Sequence, residues 1–218
     1  MKKVVIFGTG QLAQVAAFYF DHDSDYEVSA FTVDKQYIED DTFMGKPVVA
    51  MEDVDRIYPP SGFSMFIAIG YSGMNTNRES KFFWAKEKGY CLVSYVSSKA
   101  TVWPEIISEN CFILEDNTIQ PYVNIGNNVT LWSGNHIGHH TSIGDNTFIT
   151  SHVVVSGNVT VGKNCFLGVN STFRDAISVA DFTLIGAGCY ISKSIVEPES
   201  AYTVSPAVLH KKKSIDLL

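Results

Sequence analysis

The chain has 218 residues, a hydrophobic content of 45% and a formal net charge of −7. This length suits one large domain or two small ones with a sizeable core, and the acidic balance argues against a broad nucleic-acid-binding surface. No apolar run approaches the ~20 residues of a membrane-spanning helix, and apolar residues 4–7 are too few for a signal peptide, whose apolar core needs roughly 7–15 residues. We therefore expect a cytoplasmic protein with no nucleic-acid partner and no membrane partner.

The first 98 residues alternate short apolar strands with helical stretches, and we assign them to a first domain. Strands are predicted at residues 3–8, 28–33, 65–70 and 91–96, and helices at 11–21 and 77–88. Strands that alternate with helices are typical of a parallel sheet. Residues 1–98 are therefore predicted to form an α/β domain that corresponds to half of a Rossmann fold.

A glycine-rich loop joins the first strand to the first helix and fits the pattern G-x-G-x-x-A at residues 8–13. The amides of such a loop point at an anionic group near a helix N-terminus. Asp34 follows Gly10 by 24 residues, near the place of a ribose-binding acid, which makes NAD one candidate ligand. About 100 residues supply only half of a dinucleotide fold, however. Two other interpretations stay open: the glycines serve only the tight turn, or the loop binds another phosphate-bearing ligand.

From Ile107 to Ile191 every sixth residue is apolar. The positions are Ile107, Ile113, Ile119, Ile125, Leu131, Ile137, Ile143, Ile149, Val155, Val161, Leu167, Phe173, Val179, Ile185 and Ile191. Parallel β-helices are built from hexapeptides, so that each hexapeptide forms one flat side and three of them form a coil of 18 residues. Since neighbouring strands stack about 4.8 Å apart, residues 18 apart lie one above the other. The second half of the chain is therefore predicted to be an all-β parallel β-helix of five coils.

Small residues accompany this repeat. Glycine directly follows the repeat residue at Gly126, Gly138, Gly144, Gly162, Gly168 and Gly186. We expect these glycines to help the chain turn tight corners, where a missing Cβ is an advantage.

Three segments together resemble one family: the loop at residues 8–13, the region from His139 to Gly157-Asn158-Val159, and the ending at residues 202–207. The family is that of the sialic acid O-acetyltransferase-like sugar acyltransferases, which includes the N-acetyltransferases of nucleotide-linked 4-amino-4,6-dideoxysugars. The resemblance implies a left-handed β-helix in residues 99–218, acetyl-CoA as cosubstrate, a nucleotide-linked aminosugar as acceptor and a role in surface glycan biosynthesis, such as that of the lipopolysaccharide O-antigen. It also implies a homotrimer with the coenzyme in a groove between adjacent subunits.

The same resemblance implies which residues contact the two substrates. The nucleotide-sugar is expected to face Gly8, Gly10, Gln11, Asp34, Gly70, Tyr71, Ser72, Arg78 and His136. The coenzyme is expected to contact Ser156, Gly157, Asn170, Gly186, Ala187, Pro206 and Lys211, with Lys212 and Lys213 as further cations for its phosphates. The alternative for these last three residues is a solvated basic tail.

Four of the six histidines, His136, His139, His140 and His152, fall within 17 residues. In the resembling family the base is a histidine 18 residues before the glycine of a Gly-Asn-Val segment, which selects His139. The stacking rule independently places His139 beside Gly157, so that an imidazole base meets a backbone amide able to donate to a developing oxyanion. The family often has a carboxylate directly after this histidine, and here that position is His140. Asp145, Asp116 or a carboxylate of a neighbouring chain are the candidate substitutes, and the alternative is that His139 works without one. We count His139, Gly157 and His140 as the candidate catalytic residues.

Other functions remain open at this point. Transfer to a hydroxyl, as in a sugar O-acetyltransferase, uses the same base and amide donor. A zinc enzyme that resembles the γ-type carbonic anhydrases would need three protein ligands, which the clustered histidines could supply, although we expect no metal. A non-catalytic scaffold with histidines on its outer surface is the last alternative.

Overall fold

The computed structural model describes residues 2–104 and 107–205, which form an α/β domain followed by a parallel β-helix. The α/β domain contains strands β1 (Lys2–Phe7), β2 (Tyr26–Val33), β3 (Thr42–Phe43), β4 (Lys46–Ala50) and β5 (Ser64–Ile67), with helices α1 (Gln11–His22), α2 (Val54–Ile57) and α3 (Thr76–Glu87). The sheet order is β3-β4-β2-β1-β5, and every pairing is parallel except that of β3 with β4. The predicted parallel α/β fold is thus confirmed.

Two features of this domain differ from the prediction. The segment with β3, β4 and α2 was not predicted. Its strands are short, and Pro47 argues against a strand because proline has no N–H to donate to a neighbouring strand. The strand predicted at 91–96 belongs to this sheet only in its first part. Leu92 makes an isolated parallel bridge to Met65 of β5, whereas β6 (Tyr95–Val96) pairs with the β-helix. The β-helix therefore begins a few residues before the predicted boundary at 98.

Three flat parallel sheets make up the β-helix. The first sheet contains β6, β8 (Phe112–Ile113), β11 (Thr130–Leu131), β14 (Phe148–Ile149), β17 (Phe166–Leu167), β20 (Leu184–Ile185) and β22 (Ala201–Tyr202). The second contains β7 (Thr101–Val102), β9 (Thr118–Ile119), β12 (His136–Ile137), β15 (Val154–Val155), β18 (Thr172–Phe173) and β21 (Tyr190–Ile191). The third contains β10 (Asn124–Ile125), β13 (Ser142–Ile143), β16 (Thr160–Val161) and β19 (Ser178–Val179).

The register confirms the 18-residue coil. Thr130 pairs with Phe148 and Phe148 with Phe166, whereas the first pairing of the first sheet, Tyr95 with Phe112, spans one residue fewer. All repeat positions from Ile113 to Ile191 are buried in one continuous core. Ile107 is only partly buried against that core.

The corners explain the glycines differently from the prediction. Every sixth residue from 110 to 188 has a positive φ, and these residues include Asn128, His140 and His152. Asparagine and glycine tolerate this left-handed conformation best. The glycines after the repeat residue lie two positions earlier, and a Cβ on Gly138 would come within 2.6 Å of the Gly157 nitrogen. Glycine is needed there because consecutive coils approach closely, not because of φ.

The α/β domain packs against the first sheet and the two corners that flank it. A ladder of buried asparagines runs up the corner between the third and first sheets: Asn110, Asn128, Asn146 and Asn164. Glu79 of α3 accepts from the last two of these amides, at 2.9 and 3.1 Å. Within the described ranges, no helix has the length and apolar character needed to cross a bilayer.

Candidate active site

His139 and Gly157 meet at the corner between the second and third sheets. Both lie two residues after a repeat position, one coil apart, and the Asn158 N–H donates to the His139 carbonyl oxygen at 2.9 Å. The imidazole lies so close to the Gly157 Cα that a Cβ added there would come within 2.7 Å of both His139 Cε1 and Nε2. The predicted pairing of these two residues is therefore present in the structure.

The polar groups around this pair are arranged for proton and oxyanion chemistry. The Gln120 side-chain oxygen accepts from the His139 backbone N–H at 2.8 Å, which fixes the backbone beneath the ring. No acceptor partners the Gly157 N–H in the part of the chain that the structure describes. An exposed imidazole beside an unpaired amide is what base-assisted acyl transfer requires.

His140 occupies the position where a carboxylate was expected, and its ring contacts that of His139. The two Nδ1 atoms are 3.1 Å apart, and the ring of Tyr122, one coil below, lies against the His140 ring at a centroid distance of 4.7 Å. The two aspartates proposed as substitutes lie at other corners. Asp145 accepts from the Asn127 N–H at 2.6 Å, and the Asp116 backbone N–H donates to the Lys99 carbonyl oxygen.

The remaining clustered histidines lie apart from this pair. His136 faces outward on the second sheet and is half-buried. His152 lies at the corner between the first and second sheets, where its ring packs against Gly134. No three His, Cys, Asp or Glu side chains of residues 2–104 and 107–205 are grouped as metal ligands would be.

A cavity of about 580 Å³ lies at the carboxyl ends of the strands in the α/β domain. Four residues predicted to face the nucleotide-sugar line it: Gly8, Gly10, Asp34 and Ser72. Lys81 of α3 forms an ion pair with Asp34 at 2.5 Å, so that the cavity has both an acceptor and a cation. Ligands of open α/β sheets bind at this edge.

Gly8 and Gly10 of the glycine-rich loop differ in what a side chain would meet. Gly8 has φ +124°, and a Cβ there would lie 2.8 Å from the Ala68 carbonyl oxygen, so the fold itself requires it. A Cβ at Gly10 would meet no atom within 4 Å. The tight turn accounts for Gly8, whereas Gly10 opens onto the cavity.

A second cavity of about 470 Å³ lies between the two domains, with Gln11, Gly70 and Tyr71 in its wall. Trp132 and Phe148 of the β-helix complete an aromatic lining. The Tyr71 ring packs against Phe148 at a centroid distance of 5.2 Å. Three more predicted substrate residues thus lie together, beside the first cavity but turned towards the β-helix.

Arg78 has a different role from the predicted one. It is 1% exposed at the junction of the two domains. Its guanidinium donates to the carbonyl oxygens of Asn128 and Asn146 on the β-helix and to that of Gly70 in the α/β domain. Burial lowers the pKa of Arg78 to about 9. This side chain joins the domains and does not line the nucleotide cavity.

The predicted coenzyme residues fall at two corners of one chain. Ser156 and Gly157 lie at the corner of His139, whereas Asn170, Gly186 and Ala187 lie at the corner between the first and second sheets. Pro206 and Lys211, with Lys212 and Lys213, lie outside the described residues. One chain alone therefore does not bring the first two groups together.

Sequence reasoning missed several residues around these sites. Lys81 and Asn77 line the nucleotide cavity, one turn apart on α3. Their spacing of four residues on a predicted helix was the available signal, but the prediction named only Arg78 from this helix. Tyr122 precedes His140 by 18 residues, so the stacking rule was the available signal for it. Gln120 precedes His139 by 19 residues and gave no such signal.

Comparisons with known proteins agree with this architecture. Residues 122–157 match the bacterial transferase hexapeptide family of six repeats, and residues 158–193 match the hexapeptide repeat of succinyl-transferase. No curated protein matches the sequence.

Three solved structures share the fold over both domains. PerB from Caulobacter crescentus, solved with CoA and GDP-perosamine, is 23% identical, with 94% of this chain and 93% of that chain covered and a TM-score of 0.76. The acetyltransferase domain of PglB from Neisseria gonorrhoeae is 21% identical, with 90% and 94% covered and a TM-score of 0.78. WeeI from Acinetobacter baumannii is 17% identical, with 89% and 93% covered and a TM-score of 0.73.

These matches confirm the predicted repeat and the predicted two-domain fold. The chain carries the hexapeptide repeat of bacterial transferases and has the fold of PerB and of the PglB acetyltransferase domain.

Proposed function

We propose that this protein transfers an acetyl group from acetyl-CoA to the amino group of a nucleotide-linked amino-dideoxysugar. The observation that carries the proposal is the His139 imidazole lying over Gly157, next to an amide with no acceptor in the described part of the chain. PerB, similar in fold, was solved with CoA and GDP-perosamine, which supports the choice of cosubstrate and acceptor class. A 4-amino-4,6-dideoxysugar destined for a surface glycan, such as lipopolysaccharide, is our specific candidate.

The reaction assigns one task to each group. The acceptor amine attacks the thioester carbon while His139 Nε2 takes a proton from the nitrogen. The carbonyl oxygen gains negative charge, which the Gly157 N–H stabilises by donating a hydrogen bond. The carbon–sulfur bond then breaks, and the CoA thiolate leaves and takes up a proton. A hydroxyl acceptor would follow the same course, so O-acetylation is the alternative.

The placement of His139 supports a site shared between subunits. Contacts with the α/β domain fall on the first sheet and its flanking corners, through residues such as Arg78, Tyr71 and Glu79. His139 lies at the remaining corner and is exposed. A nucleotide-sugar held in the α/β cavity of one chain would thus meet the base of another. We propose a homotrimer with acetyl-CoA bound between adjacent β-helices, acting in the cytoplasm.

Replacement of the base tests the reaction. His139→Asn should lower kcat by roughly 10²–10⁴-fold with little change in CoA affinity. Free thiol release measures the rate with UDP-, dTDP- and GDP-linked aminosugars as acceptors, and mass spectrometry of the product distinguishes an acetamide from an ester. His152→Asn is the control, because this histidine is also exposed but lies at another corner. An unchanged rate in His139→Asn refutes the assigned mechanism.

A co-expression experiment tests the shared site. One chain carries His139→Asn, and the other carries Asp34→Ala with Lys81→Met in the nucleotide cavity. If the base and cavity of different chains cooperate, mixed oligomers should regain a substantial fraction of the activity that each homo-oligomer lacks. If the site lay within one chain, no chain in the mixture would be complete, and activity would stay absent.

A further inference from the structure

We propose that His140 replaces the carboxylate partner of the base, both orienting the His139 ring and accepting a proton from it. The proposal deepens the proposed function and rests on it for its effect on rate. The coupling of the two rings does not depend on the proposed function, because it is measurable without substrate.

The geometry joins the two imidazoles at specific atoms. The Nε2 side of His139 faces Gly157, and its Nδ1 lies 3.1 Å from the Nδ1 of His140. The planes of the two rings are 86° apart, so that one ring points its nitrogen edge at the other. His140 itself is held by the Tyr122 ring beneath it and by a backbone φ of 59°.

This contact selects one tautomer for the base. Two unprotonated nitrogens would repel each other at this distance, and two N–H groups would clash, so one hydrogen lies between the two Nδ1 atoms. For His139 Nε2 to accept a proton from the acceptor amine, that hydrogen must belong to His139. His140 then carries its own hydrogen on Nε2 and presents Nδ1 as the acceptor.

The proton balance follows from this tautomer. When the N–H bond of the attacking amine breaks, its proton forms a bond to His139 Nε2, and the positive charge enters that ring. The hydrogen on His139 Nδ1 can then pass to His140 Nδ1, which leaves His139 neutral and places the charge on His140. Because His140 is exposed, water can solvate this charge. The hydrogen on His140 Nδ1 then returns to His139 Nδ1 while the proton on His139 Nε2 passes to the CoA thiolate, which regenerates the starting pair.

The groups that face the pair contain no competing carboxylate. His139 and Tyr122 face His140 from its own coil and the coil below, and Gln120, also from the coil below, bonds the His139 backbone. Gly157 and Asn158 face it from the coil above. In residues 2–104 and 107–205, no carboxylate forms an ion pair with either imidazole. An imidazole differs from a carboxylate in that it is neutral before it takes up a proton and is the stronger base.

Nuclear magnetic resonance of the full-length protein labelled at histidine tests the coupling directly. With both rings neutral, we expect the ring-nitrogen signals of the wild type to place the hydrogen of His139 on Nδ1 and that of His140 on Nε2. A wild-type His139 that carries its hydrogen on Nε2, or His139 ring signals that are unchanged in His140→Gly, would overturn the proposal, whatever the enzyme's substrate.

Three substitutions separate the roles by rate. Asparagine, aspartate and glycine all tolerate the left-handed backbone of His140, and the side-chain oxygen of the first two lies as many bonds from Cβ as the histidine Nδ1 does. His140→Gly removes the acceptor and should lower kcat/KM by about 10–100-fold, as loss of an orienting partner commonly does. His140→Asn keeps a hydrogen-bond acceptor that cannot take up a proton, and its kcat/KM should lie between those of His140→Gly and the wild type.

His140→Asp supplies the carboxylate that the resembling family often has. A carboxylate favours the protonated imidazole, so the acidic limb of kcat/KM should move to higher pH by about one unit, with near wild-type rates above it. A merely structural role for His140 would change thermal stability without moving this limb. Wild-type kcat/KM and an unchanged pH profile in His140→Gly would overturn the proposal and assign the orienting role to another chain, whereas His139→Asn would still report on the proposed function.

Discussion

Gly157→Ala tests the geometry of the candidate site more sharply than removal of the base does. The new Cβ would lie 2.7 Å from His139 Cε1 and Nε2, whereas ordinary contact begins at 3.4 Å. The imidazole would therefore retreat by about 0.7 Å, and a misplacement of about 1 Å can cost ~10²-fold in rate. We expect kcat to fall by about 30–100-fold.

Stability should respond differently from activity. The φ of Gly157 is not positive, and the three atoms nearest to the added Cβ belong to the exposed side chain of His139. Replacing glycine by alanine in a compatible conformation also restricts the unfolded chain, which stabilises by about 0.4–1 kcal/mol. The free energy of unfolding, measured in urea, should thus stay level or rise slightly.

Gly138→Ala is the matched control. Its Cβ would lie 2.6 Å from the Gly157 nitrogen and the Ser156 carbonyl carbon, which are backbone atoms that cannot step aside. This substitution should cost about 1–3 kcal/mol or more of stability. A Gly157→Ala protein with wild-type kcat would refute the position assigned to the base, since the ring cannot stay where it is beside an alanine.

Three further outcomes can be measured. Arg78→Met should lower the free energy of unfolding in urea by about 2–4 kcal/mol, because it leaves buried carbonyl oxygens without donors. As a control, Lys86→Met removes the half-exposed ion pair with Glu109 and should lower the free energy of unfolding by less than about 1 kcal/mol. Lys81→Met should weaken binding of the nucleotide-sugar by about 10-fold in calorimetry, because a charged hydrogen-bond donor contributes about 1.5–3 kcal/mol, while the melting temperature stays within a few degrees. Hydrogen bonds from Ser98 and Tyr95 lower the pKa of Asp23 to about 2 from 3.8. The contribution of the ionised Asp23 to stability is therefore complete above about pH 4 and is lost as the pH falls towards 2. Asp23→Asn should flatten that part of the curve of urea midpoint against pH, and an unchanged slope would contradict this account.

The β-helix could be predicted almost completely from the sequence, because each six-residue side of a coil directs one apolar side chain into the core, and this period is visible in the sequence. The order of residues along one corner follows from the same period, which is why His139 and Gly157 could be paired. The direction in which the α/β domain packs could not be predicted. It depends on contacts between residues far apart in the chain, such as Asn75 with Cys165 and Arg78 with Asn146. For the same reason Arg78 was assigned to the substrate when it binds the β-helix.

The corner chemistry explains why an amide is available at Gly157. The residue two positions after a repeat residue directs its N–H away from the ladder of its sheet, so the corner itself leaves a donor that needs an acceptor. At three positions along the corner between the third and first sheets a side chain 18 residues later supplies that acceptor: Asn127 for Glu109, Asp145 for Asn127 and Asp181 for Lys163. For His139 the acceptor is Gln120.

Gly157 lacks such a cap. Asp175 stands 18 residues after it, in the position from which Asp145 and Asp181 cap the corner between the third and first sheets, yet it does not accept from the Gly157 N–H in the structure. The equivalent amides of Ser133 and Ser151 are also without an acceptor in the described part of the chain, so an open amide alone does not mark a site. What distinguishes Gly157 is the His139 imidazole beside it. This combination is consistent with an acceptor that arrives only with the substrate, namely the oxygen of a thioester as it gains charge.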